Sequence, residues 1–186
     1  MKKAFAVLTL AAALFAGCRQ PSAPFVEGQV TGSTIHSVTL STQEDTFVTI
    51  STLGTDPMLV PGVLPGDGVR VYYELLPDGE TMRALRLDIT AASAYRLLPG
   101  IWRDCTGDEE AGLVLAEDGS ARATGWSAPL QDWSLDLDEN CLVLTGEDPD
   151  HPKYTLPQLF RIRKLDADSL VVVSEGGRTL SFFRQR

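Results

Sequence analysis

Cationic side chains are scarce in this chain: 16 Lys and Arg stand against 25 Asp and Glu in 186 residues, a formal charge of −9. A surface of that sign repels phosphate backbones and anionic headgroups, which are held by clusters of Lys and Arg, so nucleic acid is excluded as a partner. Histidine is scarcer still, with only His36 and His151. A Ser or Cys nucleophile needs a base, and neither histidine accompanies a nucleophile elbow such as G-x-S-x-G. Both read as solvated loop residues. The three cysteines form no C-x-x-C pair and have no histidine at ligand spacing, which argues against a metal knuckle. The acidic groups Asp104, Asp108, Glu109, Glu110 and Glu147, Asp148, Asp150 lack the EF-hand order of oxygen ligands and read as solvated turn charges. Their spacing defines no pair of carboxylates at the separation that glycoside hydrolysis needs. No enzyme, cofactor or metal site is expected.

The longest apolar run, Ala4 to Ala16, is too short for a spanning helix and follows Lys2 and Lys3, so residues 1–17 read as a secretory signal peptide. Its small residues Ala16 and Gly17 lead straight into Cys18. This junction resembles the bacterial lipobox, with Phe15 where Leu is most usual. The resemblance implies that Cys18 is diacylated and becomes the first residue. The other reading is a soluble periplasmic protein with an incidental cysteine. Two or three acyl chains anchor stably, since each buried methylene contributes about 0.8 kcal/mol and one chain alone is marginal. Arg19 follows, not the Asp that retains enterobacterial lipoproteins at the inner membrane, so the resemblance implies the outer membrane. The linker RQPSAP, residues 19–24, lacks the acidic cluster that in some lineages directs lipoproteins to the cell surface, which favours the periplasmic face. Loss of both lysines with the signal takes the formal charge to −11. In this oxidising compartment Cys105 and Cys141 form either one disulfide or two separate, half-buried thiols.

Residues 25–91 contain five short runs rich in Val, Thr, Ile and aromatics: PFVEGQVTGS, IHSVTLST, DTFVTIST, GVRVYYELL and TMRALRLDIT. Their period-two alternation and the turn residues Asp67-Gly68 and Pro77-Asp78-Gly79 make them strands. Five strands in so short a segment, with a longer irregular stretch between the third and fourth, predict a small OB-like barrel, or failing that an open sheet. An OB-like barrel invites an oligonucleotide or oligosaccharide ligand, but nine acidic residues against three Arg oppose the first. Tyr72 and Tyr73 fall on opposite strand faces, so at most one is a surface platform, and the aromatics are expected in the core.

Residues 92–99 read as a connector or a single helical turn. From Gly100 the strands GIWRDC, AGLVLAED, SARATGW, DWSLDLDE, CLVLTG, YTLPQLFRIRKL, DSLVVVSE and RTLSFFRQR follow one another through mostly tight turns. Eight short strands in series predict an up-and-down antiparallel barrel over residues 100–186. The chain is therefore all-β, built as two small antiparallel barrels.

Gly100-Ile101-Trp102, the hairpin at Asp118-Gly119 and the close SFFRQR together resemble the lipocalin-like domains of bacterial envelope lipoproteins, over Leu97 to Arg186. The resemblance implies that Trp102 plugs the closed barrel end and that Arg184 lies across its indole, a contact of roughly 0.5 to 2 kcal/mol. The chain is also similar to copper-homeostasis and adhesion lipoproteins that join a lipocalin-like to an OB-like barrel. Here, however, the order is reversed and that family's C-x-x-C is missing.

Alternation points Leu113, Leu115, Trp133, Leu135, Leu137, Leu142, Leu144, Phe160, Ile162, Leu180 and Phe182 into the second barrel. Eight strands leave an interior that side chains fill or that holds one small ligand. Two functions are consistent with this. One is a membrane-tethered binding module for a small apolar ligand or protein segment. The other is a solid-packed interaction protein docking envelope partners along Leu53 to Leu64.

Overall fold

The computed structural model describes residues 23–105, 111–126, 129–148, 151 and 153–185. Strands β1 (Phe25–Thr34), β2 (Ser37–Ser41), β3 (Phe47–Ser51), β4 (Gly68–Leu75) and β5 (Met82–Ala91) close into a barrel in the order β1-β2-β3-β5-β4. Strand β4 returns to pair with β1, so the open-sheet alternative falls. The closing contact between β3 and β5 is parallel, through Ser51 and Arg83, so this barrel is not wholly antiparallel.

The core of the first barrel is aliphatic: Val30, Val38, Leu40, Ile50, Val69, Val71, Ala84 and Leu87. The expectation of buried aromatics is corrected, since Phe25 is 52% and Phe47 73% exposed. Five strands enclose a narrow interior that Val, Leu and Ile fill, and the rings go outside. Phe25 and Tyr72 pair there at 5.8 Å, beneath the guanidinium groups of Arg70 and Arg86 respectively.

The second sheet runs β6 (Gly100–Asp104), β7 (Gly112–Leu115), β8 (Ala121–Thr124), β9 (Leu130–Asp136), β10 (Cys141–Glu147), β11 (Thr155–Leu165), β12 (Ser169–Ser174) and β13 (Thr179–Gln185). Each strand pairs antiparallel with its sequence neighbour except at one seam, and β13 returns to β6. The seam lies between β8 and β9, held by the bridge Ser120–Asp132 and by the Trp133 N–H donating to Gly119 O at 2.7 Å. This is the expected meander, closed except along part of one seam.

One continuous core fills it, comprising Leu98, Trp102, Leu113, Leu115, Ala121, Leu130, Trp133, Leu142, Leu144, Phe160, Ile162, Leu170, Val172, Leu180 and Phe182. Leu135 is half-buried against this cluster. Leu137 departs from the sequence reading and is 50% exposed. Strand β9 ends at Asp136, whose carboxylate accepts the Glu139 N–H at 3.0 Å, and Asn140 turns the chain at φ 52°. Leu137 thus sits in a turn, where strand alternation no longer applies.

The disulfide expectation is also corrected, because Cys105 and Cys141 are both free thiols. Strand β6 is already complete at Asp104, so Cys105 lies at the end of the barrel opposite Gly100, whereas Cys141 opens β10 at the Gly100 end. In the sheet order β6 and β10 also stand on opposite walls. A bridge needs Cα atoms within about 7 Å, which this arrangement precludes.

Between the barrels, Ser93 leads into the single helical turn α1 (Ala94–Leu97). The carboxylate of Asp67, fully buried, accepts the N–H of Ser93 at 2.9 Å and the Nε of Arg96. Arg96 Nη2 donates to Gly62 O at 2.6 Å. Burial alone would raise the Asp67 pKa, but hydrogen bonds from the Leu64 and Ser93 N–H groups and from Arg96 together hold it below its ordinary value. On the other side the Trp102 indole N–H donates to Leu98 O at 2.7 Å, and Tyr95 packs 6.3 Å from Trp133. The connector is therefore bonded to both barrels.

Candidate functional site

The second barrel has two unlike ends, and the difference follows from which side chains the turns deliver. At the connector end, Arg184 lies over Trp102, its Cζ 4.2 Å from the ring centroid. Its Nη1 and Nε donate to Pro99 O and Ala167 O at 2.7 and 2.6 Å, and Nη2 donates to Leu97 O. Trp102 is fully buried. Gly100 (φ 147°) is required here, because a Cβ at that position would collide with the Arg184 guanidinium. This end is sealed.

The opposite end is concave. A cavity of about 480 Å³ opens there, walled by Trp126, Phe160, Leu180 and Ala111 and edged by Asp104, Gln158, Ser174 and Arg178. Its place follows from the topology: β6, β8, β10 and β12 end at this face and β7, β11 and β13 begin there. Gly125, at φ 74°, turns the chain out of β8 and sends Trp126 toward Phe160, with ring centroids 5.9 Å apart. Gly125 also lies against Ala111, leaving no room for a Cβ. Phe160 and Leu180 form the floor, and both belong to the continuous core beneath.

Of the positions read as inward from sequence, only Phe160 and Leu180 border this cavity. Leu113, Leu115, Leu142, Leu144, Ile162 and Phe182 are packed solid below it. Trp133 is buried at the other end, its indole N–H donating to Ala116 O at 2.7 Å. Cys18 lies outside the described residues. The sequence reading missed Trp126 and Arg178, which stand just outside β8 and β13, and Gln158, a polar residue within β11 on the parity of Phe160 and Ile162. The usable signal was Gly125-Trp126, a bulky ring directly after a turn glycine.

Elsewhere the candidate chemistry is sparse. His36 is exposed in the β1–β2 turn, and His151, in the β10–β11 turn, stands 3.4 Å from the Asp148 carboxylate. Among the described residues no three His, Cys, Asp or Glu side chains converge as metal ligands. The outer face of β2 and β3 presents Ser37, Thr39, Thr49 and Ser51, with the Thr39 and Thr49 hydroxyls 3.1 Å apart.

No protein-family model matches the chain, and no curated protein matches it in sequence. A solved structure of a lipocalin-like protein from Bacteroides thetaiotaomicron is similar at 24% identity, covering 47% of this chain and 95% of that one, with a TM-score of 0.38.

Proposed function

We propose that this protein is a non-catalytic binding module of the bacterial envelope, lipid-anchored through Cys18, that takes a small apolar molecule at the open end of its second barrel. The observation that carries this reading is the aromatic cavity of Trp126 and Phe160 above a solid core and opposite a sealed end. Its apolar walls, Trp126, Phe160, Leu180 and Ala111, meet a polar rim of Asp104, Gln158, Ser174 and Arg178, the two kinds of group that small-ligand pockets combine. The floor limits depth, so a compact ligand suits the site better than a long one. The first barrel, closed in the order β1-β2-β3-β5-β4, serves in this reading as the spacer toward the membrane.

Two measurements test this. Native mass spectrometry of protein purified from its envelope is expected to show bound apolar mass, and N-phenyl-1-naphthylamine is expected to bind and fluoresce. Absence of both overturns the ligand reading. Cys18→Ser is expected to abolish acylation and release the chain from the membrane. Unchanged fractionation with the outer membrane would defeat the anchor.

A second reading, docking of an envelope protein, is favoured by one observation. Ile35, Leu53 and Met58 are 87%, 62% and 90% exposed at one end of the first barrel. The turns that carry Leu53 and Met58 are pinned by hydrogen bonds from Thr55 Oγ1 to Ala84 O and from the Met58 N–H to the Asp56 carboxylate. Crosslinking in intact cells from position 58 that recovers no reproducible partner removes this reading.

A further inference from the structure

We propose that the cleft between the two barrels is a second binding site, and that it takes a saccharide. The cleft encloses about 620 Å³, within the range of small-molecule sites. Its walls come from three places: Leu64 from the first barrel, Tyr95 and Arg96 from the connector, and Glu117, Asp118 and Trp133 from the second barrel.

These walls are held in place before any ligand arrives. Arg96 is fixed by Asp67 and Gly62, Trp133 by Ala116 and Gly119, and the β7–β8 turn by the Ser120 N–H donating to Asp118 at 2.9 Å. Rigidity of this kind lowers the ordering cost of binding.

The polar groups left over define the ligand. Among the described residues, Arg96 Nη1, the Tyr95 hydroxyl and the Glu117 carboxylate have no hydrogen-bond partner. Arg96 Nη1 donates only, Glu117 accepts only, and Tyr95 does both. An anion such as phosphate meets repulsion from Glu117 and Asp118, and a simple cation makes no use of the Tyr95 ring or of the Arg96 Nη1 donor, whose charge Asp67 already pairs. A neutral ring bearing several hydroxyls satisfies donors and acceptors together, while its C–H face lies on the Tyr95 ring that Trp133 supports. The site is separate from the barrel mouth: Trp133 and Tyr95 stand at the connector end, Trp126 and Phe160 at the other.

The test is saturation-transfer NMR on the full mature chain with cellobiose and N,N′-diacetylchitobiose, together with co-sedimentation on insoluble peptidoglycan sacculi. Transfer to ring C–H protons of either disaccharide supports a free-sugar ligand, whereas co-sedimentation without disaccharide binding supports the same chemistry presented by a polymer. Tyr95→Ala and Glu117→Gln are each expected to weaken binding about tenfold or more, and Trp126→Ala is expected to leave it unchanged. Glu117→Gln is an exposed turn substitution that removes no core contact, so the test survives if Tyr95→Ala folds poorly. Failure of both disaccharides and the sacculi to bind overturns the proposal. So does wild-type affinity in Glu117→Gln, or a cleft that takes spermine and neither sugar form.

Discussion

The Arg184 guanidinium lies 4.2 Å from the centroid of the Trp102 indole, and both side chains also bond the connector, Trp102 at Leu98 O and Arg184 at Leu97 O and Pro99 O. One residue from the last strand thus closes the barrel, covers its largest buried ring and holds the segment that joins it to the other barrel. Charge-assisted hydrogen bonds contribute about 1.5–3 kcal/mol each, and a cation over an indole about 0.5–2 kcal/mol. Arg184→Ala is expected to destabilise the second barrel by about 3–4 kcal/mol. Arg184→Lys recovers little of this, because an ammonium cannot span three carbonyls in the plane of a guanidinium. Denaturant unfolding followed by Trp fluorescence reads both variants.

Asp67 performs the matching role in the first barrel. Its folded pKa lies below the ordinary value of 3.8, so its contribution to stability is whole above that value and is lost as pH falls through the lowered folded one. Asp67→Asn is expected to cost about 3 kcal/mol near neutrality by leaving the Arg96 pairing broken. The gap in melting temperature between wild type and this variant is expected to hold from pH 7 to about 5 and to close progressively below about pH 4. A gap that stays constant down to pH 3 would show that the Asp67 carboxyl has the same pKa in the folded and unfolded chain, against the lowering by its hydrogen bonds.

Much of the fold was legible because β-strand alternation and turn residues are local signals. Val38 and Leu40, or Leu170 and Val172, alternate with half-buried neighbours, and the DG at Asp118-Gly119 falls at a tight turn as expected. The Trp102–Arg184 contact was reached by resemblance and is present. What was not legible depends on where strands stop. Leu137 leaves the core because β9 ends one residue earlier, and Cys105 misses Cys141 because the five residues of β6 carry it across the wall to the end opposite Gly100. The expectation that the aromatics of the first barrel are core, argued against a surface platform, ignores how little room a five-stranded barrel has, and Phe25 and Phe47 lie outside it. The mouth residues Trp126 and Arg178 lie beyond the alternating positions, so only the assembled barrel brings them together.

Trp126 is half-buried and stands outside the continuous core cluster, packed against it. Its removal should therefore separate ligand affinity from stability. Trp126→Ala is expected to lower unfolding free energy by only about 1–2 kcal/mol, less than the 3–5 kcal/mol of a fully buried Trp. The same change is expected to abolish N-phenyl-1-naphthylamine fluorescence enhancement at the mouth. Phe160→Ala, by contrast, removes a core residue and should lose both together.

The cysteines distinguish the observed barrel from a flattened one with a cross-link. Cys105 is exposed and Cys141 is 5% exposed, with its thiol 3.4 Å from Glu139 O. Under native conditions one thiol should react with Ellman's reagent promptly. The second should react more slowly by about hundredfold if reaching it requires a local opening of roughly 3 kcal/mol. Denaturant should erase the difference before global unfolding only if the start of β10 opens on its own. Non-reducing mass spectrometry after alkylation should find Cys105 and Cys141 in separate, modified peptides. A linked peptide from freshly purified protein would mean that the barrel collapses far enough to bring opposite walls and opposite ends together, and the meander described above could not then be the native arrangement.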